Sequence, residues 1–195
     1  MTRFPLWRRE RVARGETRNA TDEEVMMEVA RGSEEAFEEL LERYQRKVLA
    51  FFFRFFQERE VARDLTQECF LRLLRGARRY RPTARFSSYI FTIARRLAYD
   101  ERAKAWHRRE EIPGDAPSRE EAPDRALEKK ETARRLTAIL ATLPDPEREV
   151  FLLSESAGLR YAEIARITGV PEGTVASRKN RAVRLIRERW KGGSE

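Results

Sequence analysis

Between Arg160 and Arg187 the chain gathers side chains able to exchange hydrogen bonds with another molecule: Thr174, Ser177, Arg178, Asn180, Arg181 and Arg184. Hydroxyl, amide and guanidinium groups suit the reading of base edges and the gripping of phosphate rather than bond breaking. Val175, Ala182, Val183 and Ile186 fall on roughly one stripe, which leaves the polar set largely outside it, on one side of a single helix. The residues just before supply a support. Ile164, Ala165 and Ile167 give a preceding helix an inner face, Gly169 stands where a left-handed helix end is needed, and Pro171 cannot continue a helix already running. Two short helices joined by a tight turn, the second carrying the polar face, fit a DNA major groove.

Other chemistries have little to work with. The chain has one cysteine, Cys69, and one histidine, His107, which leaves no disulfide framework, zinc cluster, Ser-His pair or His-rich metal site to build. A net charge of +8 over 195 residues favours a polyanionic partner, although 38% charged residues also fit long helices with solvated faces. Arginine far exceeds lysine, which suits bidentate phosphate and guanine contacts and equally follows from a GC-rich genome. The longest apolar run, Val48–Phe53, is well short of the roughly 20 residues a membrane-spanning helix needs. The basic N-terminus lacks an apolar signal core, so a reducing cytoplasm is the plain expectation.

The elements that must hold these residues read as helices throughout, with no alternating run to support a sheet. Residues 1–19 read as a mobile basic arm. Thr21 and Glu24 form a capping box for a short helix ending near Gly32, and Ser33, followed by Glu34 and Glu35, opens the next. That helix runs through Phe37, Leu40, Leu41, Tyr44 and Val48 into the aromatic patch Phe51, Phe52, Phe53, Phe55 and Phe56. The patch is most simply core, but one helix cannot hide five rings on one stripe, so a hydrophobic partner site stays open. A third helix covers about 61–75, residues 77–86 read as a loop, and Ser87 or Ser88 caps a long helix reaching about His107. Cys69 falls within an apolar helical face and reads as buried rather than redox-sensing.

Residues 109–125, with three prolines, one glycine, no aromatic ring and six carboxylates against three arginines, read as a flexible acidic tether. Asp124 is the expected cap of a helix carrying Leu127, Leu136, Ile139, Leu140 and Leu143. Asp145-Pro146 opens another that ends by Gly158, the helix-turn-helix follows, and the terminal GGSE frays. The expected fold is all-α, with two small helical domains joined by the tether and the helix-turn-helix in the second.

Three blocks carry a family resemblance. EVARDLTQECFLRLLR (60–75) resembles the second-helix signature of bacterial sigma factors, and SSYIFTIARRLAYDER (87–102) resembles the promoter-melting helix that follows it. LPDPEREVFLLSESAGLRYAEIARITGVPEGTVASRKNRA (143–182) is similar to their C-terminal domain. Order and spacing match the extracytoplasmic-function (ECF) subfamily, over roughly residues 20–190. The resemblance implies domains at 20–108 and 126–191, on either side of the tether.

It also implies roles. Asp64, Gln67 and Glu68 share one helix face and would dock on core RNA polymerase. The loop Arg81–Ser88 would capture a base extruded from the −10 promoter element, with Phe86, Ser87 and Tyr89 at the pocket or its wall and Arg95, Arg96 and Arg102 on the backbone. Tyr89 and Arg96 stand where the family has tryptophan and asparagine, and spacing to Ile90 and Ile93 makes Tyr89 a core residue. At the −35 element, Ser177, Asn180 and Arg181 would face the major groove, Ala176 would touch it, and Thr174 and Arg178 would grip phosphate. Arg184 and Arg187 stay open between phosphate and solvent. The tether is either an inert spacer or a phosphate mimic threading the polymerase cleft, and an anti-sigma protein is the expected inhibitory partner. No cofactor, metal or small-molecule substrate is expected, and no catalysis.

Two rivals remain at this level. An operator-binding regulator would hold duplex DNA without polymerase. A nucleic-acid-processing enzyme would use the acidic residues of 22–42 to hold metal, although their spacing reads as a solvated face.

Overall fold

A computed structural model describes residues 20–111 and 127–192, with eight α-helices and no strand among them. The basic arm 1–19, the tether over 112–126 with its expected cap Asp124, and the terminal residues 193–195 lie outside the described residues. The helices are α1 (Asp22–Arg31), α2 (Glu34–Phe56), α3 (Arg59–Gly76), α4 (Phe86–Glu111), α5 (Leu127–Ala141), α6 (Asp145–Glu155), α7 (Tyr161–Thr168) and α8 (Glu172–Lys191).

Local chemistry sets many of the boundaries. The Thr21 amide donates to Glu24 Oε2 at 2.8 Å and the Thr21 hydroxyl accepts from the Glu24 amide at 3.3 Å, closing the capping box of α1. Ser33 Oγ accepts from the Ala36 amide at 3.1 Å and starts α2. The N-terminus of α4 differs from expectation. Ser87 and Ser88 both lie inside that helix, and the Phe86 amide donates to Glu23 Oε1 of α1 at 2.6 Å. A carboxylate 63 residues away supplies the charge that a local hydroxyl was expected to supply.

The five phenylalanines of the patch at the end of α2 find cover without an outside partner. Phe51 and Phe52 are fully buried, Phe55 nearly so, and Phe53 and Phe56 pack half-buried against the core. Phe51 meets Phe91 of α4 edge-on at 5.7 Å, and the Arg148 guanidinium of α6 lies 4.9 Å from the Phe55 ring centre. Fully burying such a ring, as at Phe51 and Phe52, contributes about 1.5–3 kcal/mol. α2 can hide more than one stripe because it touches α1, α3 and α4 and also α5 and α6.

The N-terminal core is built from Met26, Leu40, Val48, Leu73, Ile90 and Leu97, and the C-terminal core from Leu140, Leu152, Leu153, Ile164, Val175 and Ala182. α8 rests on α5, α6 and α7. Cys69 is fully buried, as its spacing indicates, and burial pushes its thiol up to about 12.

Candidate nucleic-acid and partner-docking surfaces

The turn between α7 and α8 aims the polar face of α8. Gly169 ends α7 at φ 75°, and its amide donates to the Ala165 carbonyl at 2.8 Å. Pro171 then precedes the first turn of α8, and its carbonyl accepts from the Thr174 amide at 2.9 Å. Val175 and Ala182 fasten the helix inward, both fully buried. Ser177, Asn180 and Arg181 point to solvent from the opposite face, while Thr174, Ala176 and Arg178 flank it half-buried. The Ser177 hydroxyl donates back to the Thr174 carbonyl at 3.0 Å, which leaves its oxygen free to accept. Arg181 reaches Glu147 at 3.4 Å but keeps 60% of its side chain exposed, so its fork is available to a base edge. Asn180, Arg184 and Arg187 border one open depression with Glu188 and Lys191.

Lys179, between Arg178 and Asn180, turns away from that exposed face. Its Nζ lies 2.6 Å from Ser154 Oγ, 2.8 Å from Glu155 and 5.5 Å from the Tyr161 ring centre, so it ties α8 to α6 and α7. One residue between Arg178 and Asn180 is enough to rotate the ammonium toward the scaffold.

The second surface follows α4 and the loop before it. Arg81 is exposed and donates through Nη1 to the Tyr80 carbonyl at 2.9 Å. Phe86, expected at a base-capture pocket, is fully buried between Tyr44 at 5.0 Å and Tyr80 and Tyr89 at 6.4 Å. Its benzyl group closes the core beneath the loop, because the helix start turns that side chain inward. Ser87 stays half-buried on the first turn, and Tyr89 packs against the core as its spacing indicates. Tyr80 is buried below, and burial with the Glu23 carboxylate pushes its phenol up to about 12.

Further along α4 the three arginines separate. Arg96 is exposed. Arg95 pairs with the buried Glu149 of α6 and lies 4.7 Å from the Tyr99 ring centre, while Arg102 pairs with Asp145. Burial, and then the Glu149 carboxylate, raises the Tyr99 phenol above its ordinary value.

The third surface lies on α3, where Ala62, Leu65, Cys69, Phe70 and Leu73 face the core. Asp64 and Gln67 are exposed on the far side. Glu68 is partly occupied by Arg72 at 2.9 Å and Arg75 at 3.8 Å. Leu71 and Leu74, 38% and 45% exposed, continue that face, and sequence reasoning passed over them. The signal was present. Steps of three and four residues from Asp64 through Gln67 to Leu71 and Leu74 trace one helix face, and an apolar pair at its end marks a contact surface. No group of His, Cys, Asp and Glu suited to a metal ion occurs among the described residues.

The family model for Sigma-70 region 2 matches residues 40–108, and the one for Sigma-70, region 4 matches residues 133–186. The RNA polymerase sigma-H factor of Pseudomonas aeruginosa is 30% identical over 85% of this chain and 91% of its own length. The ECF RNA polymerase sigma factor SigC of Mycobacterium tuberculosis is 30% identical over 85% and 91%, and the ECF sigma-E factor of Escherichia coli is 29% identical over 85% and 92%. Among solved structures, CnrH in complex with the cytosolic domain of CnrY superposes with a TM-score of 0.69 at 21% identity, covering 89% of this chain and 99% of that one. The sigma factor RpoE with the anti-sigma factor NepR from Bartonella quintana gives 0.68 at 22% identity, over 80% and 96%.

Proposed function

The chain belongs to the ECF group of bacterial RNA polymerase sigma factors, which direct the polymerase to its promoters, and from that premise we propose how its surfaces divide the work. Residues 20–108 form the domain that docks on core polymerase and opens the −10 element. Residues 126–191 hold the −35 element, and 109–125 set the span between them. Membership of this family also decides against a stand-alone operator-binding regulator.

Docking falls to Asp64 and Gln67, with Glu68 exchanging its arginine partners for polymerase and Leu71 with Leu74 supplying apolar area. Arg81 and Ser87 border the melted strand near the loop, and Arg95, Arg96 and Arg102 take its phosphates. Phe86 positions that loop from beneath and makes no base contact itself. At the −35 element Ser177, Asn180 and Arg181 read base edges, Ala176 offers apolar contact, and Thr174 and Arg178 hold phosphate. Two modest sites on one chain gain from effective concentration when the tether reaches both.

The protein has no catalysis of its own, works in the cytoplasm, and is held in reserve by an anti-sigma protein. In support, CnrH was solved with the cytosolic domain of CnrY and RpoE with the anti-sigma factor NepR, and no helix among the described residues is long and apolar enough to cross a membrane. The observation that carries the reading is the pairing of an exposed Asp64–Gln67 face on α3 with an exposed Ser177–Asn180–Arg181 face on α8. Gel shifts on promoter DNA with and without core polymerase test it. Tight, sequence-dependent retention should need core polymerase, and equal retention by the chain alone would sink the assignment.

A further inference from the structure

The polar face of α8 does not stop at Arg181. Steps of three and four residues carry it from Ser177 through Asn180, Arg181, Arg184 and Arg187 to Lys191, one stripe about 21 Å long. Arg184, Arg187 and Lys191 are exposed, and their side chains make no hydrogen bond or ion pair among the described residues. In the same helical group Lys179, Arg148 and Arg135 are held by Glu155, Asp145 and the Trp190 carbonyl. The three cations of the stripe are left to an outside anion.

They line an open depression of about 500 Å³ with Asn180, Val183 and Glu188, all six residues from α8. No second element among the described residues helps to line it, so a small molecule seated there would keep most of its surface in water. An extended anion running past the helix suits it better. α8 is 20 residues long, about 30 Å, whereas a major groove is about 12 Å wide and about 8.5 Å deep. With its first turns in the groove, a helix of that length cannot follow a groove that winds round the duplex. Its C-terminal half then passes the phosphates at the groove edge. Arg184, Arg187 and Lys191 follow one another by about 4.5 and 6 Å along the axis, one to two nucleotide rises of about 3.4 Å.

We propose that the C-terminal half of α8 is a second, sequence-independent DNA contact, in which Arg184, Arg187 and Lys191 hold phosphates flanking the base pairs read by Ser177, Asn180 and Arg181. This rests on the reading of α8 as the −35 face. Asn180 belongs to both sets, bordering the depression and the base-reading face, so the contact continues that surface without a gap. Glu188 flanks the cations on one edge of the depression and repels a strand there, which leaves the Arg187–Lys191 side to the backbone. Each phosphate neutralised releases counterions, and log affinity then falls against log salt with a slope of about 0.9 per contact.

The test uses holoenzyme reconstituted with the full chain, binding duplex DNA that carries the −35 element at about 50 and 200 mM salt. R184A/R187A/K191A should make the salt slope shallower by about 2.7, so the advantage of the unaltered chain over the variant shrinks about 40-fold across that range. Discrimination between correct and altered −35 elements should be kept, which also shows that the variant folds. R189A removes an exposed cation from the far side of the same helix and should leave the slope unchanged. An equal loss per charge there would reduce the effect to overall charge and overturn a placed contact. R184K/R187K keeps the charge and should keep the slope, and a slope lost there too would overturn phosphate neutralisation as its cause. An unchanged slope in the triple variant overturns the proposal and leaves the depression to an acidic protein partner. Arg181→Ala separates the two levels. If it costs −35 discrimination while the triple variant changes nothing, α8 still reads the element and only the extended contact fails. If it costs none, the reading of α8 fails, and the proposal with it.

Discussion

Arg181 carries its guanidinium on the outer face of α8 against Glu147, so replacing it removes the proposed reading group and leaves the helix seated. Arg181→Ala should cut discrimination between correct and altered −35 elements by about 1–3 kcal/mol and leave core binding intact, as measured by competition gel shifts with reconstituted holoenzyme. Equal loss of both would move Arg181 out of base reading. Gln67→Ala should do the reverse, lowering affinity for core polymerase in a fluorescence titration while −35 selectivity is kept. Cys69 gives a pH prediction. Its thiol is raised from its ordinary 9.0 to about 12. This contribution to stability is therefore present below pH about 9 and lost as pH rises toward about 12. Disulfide reagents at pH 8 should label the folded chain far more slowly than the urea-unfolded chain, and equal rates would contradict the burial. Single residues were legible where helical spacing alone decides, as at Cys69, Val175 and Asn180. Phe86 and Lys179 were not, because their directions depend on partners from distant elements, the aromatic floor of Tyr44 and Tyr80 and the Ser154–Glu155 pair.

At the scale of elements, the angle between α7 and α8 depends on one left-handed residue. A methyl group at Gly169 would meet open space, so Gly169→Ala tests backbone conformation with no steric clash. It should destabilise the chain by about 1–2 kcal/mol, seen as a lower urea midpoint at unchanged slope. Gly173→Ala, inside α8 with equal room, should leave stability unchanged or raise it by up to about 1 kcal/mol. Opposite signs at two glycines four residues apart would place the effect in the turn, and equal signs would refute it. The capping box of α1, the Ser33 start of α2 and the Gly169 turn were readable because their partners lie within a few residues. The start of α4 was not, since the carboxylate that receives the Phe86 amide belongs to α1. Nor could sequence show that α5 and α6 cover the outer rings of α2. That cover removes the need for a hydrophobic partner at the patch, and it depends on how two halves of the chain meet.

Across the whole molecule, the proposed division of work needs two exposed faces on separate helical groups, α3 for the polymerase and α8 for duplex DNA. A third face, on α4, is held by the chain's own carboxylates. The tripartite order of sequence blocks made the two-domain plan legible in advance. The meeting of α4 with α6 and α7 was not, because acidic residues at 145, 149 and 163 look like solvated helix faces until the halves are brought together. Run-off transcription by core polymerase, with and without this chain, on a library of promoters tests the central claim most directly. The account predicts transcripts only with the chain present, from templates that share one −35 and one −10 sequence, with Arg181→Ala relaxing the first alone. Transcription indifferent to the chain, or no association with core polymerase under any condition, would contradict it.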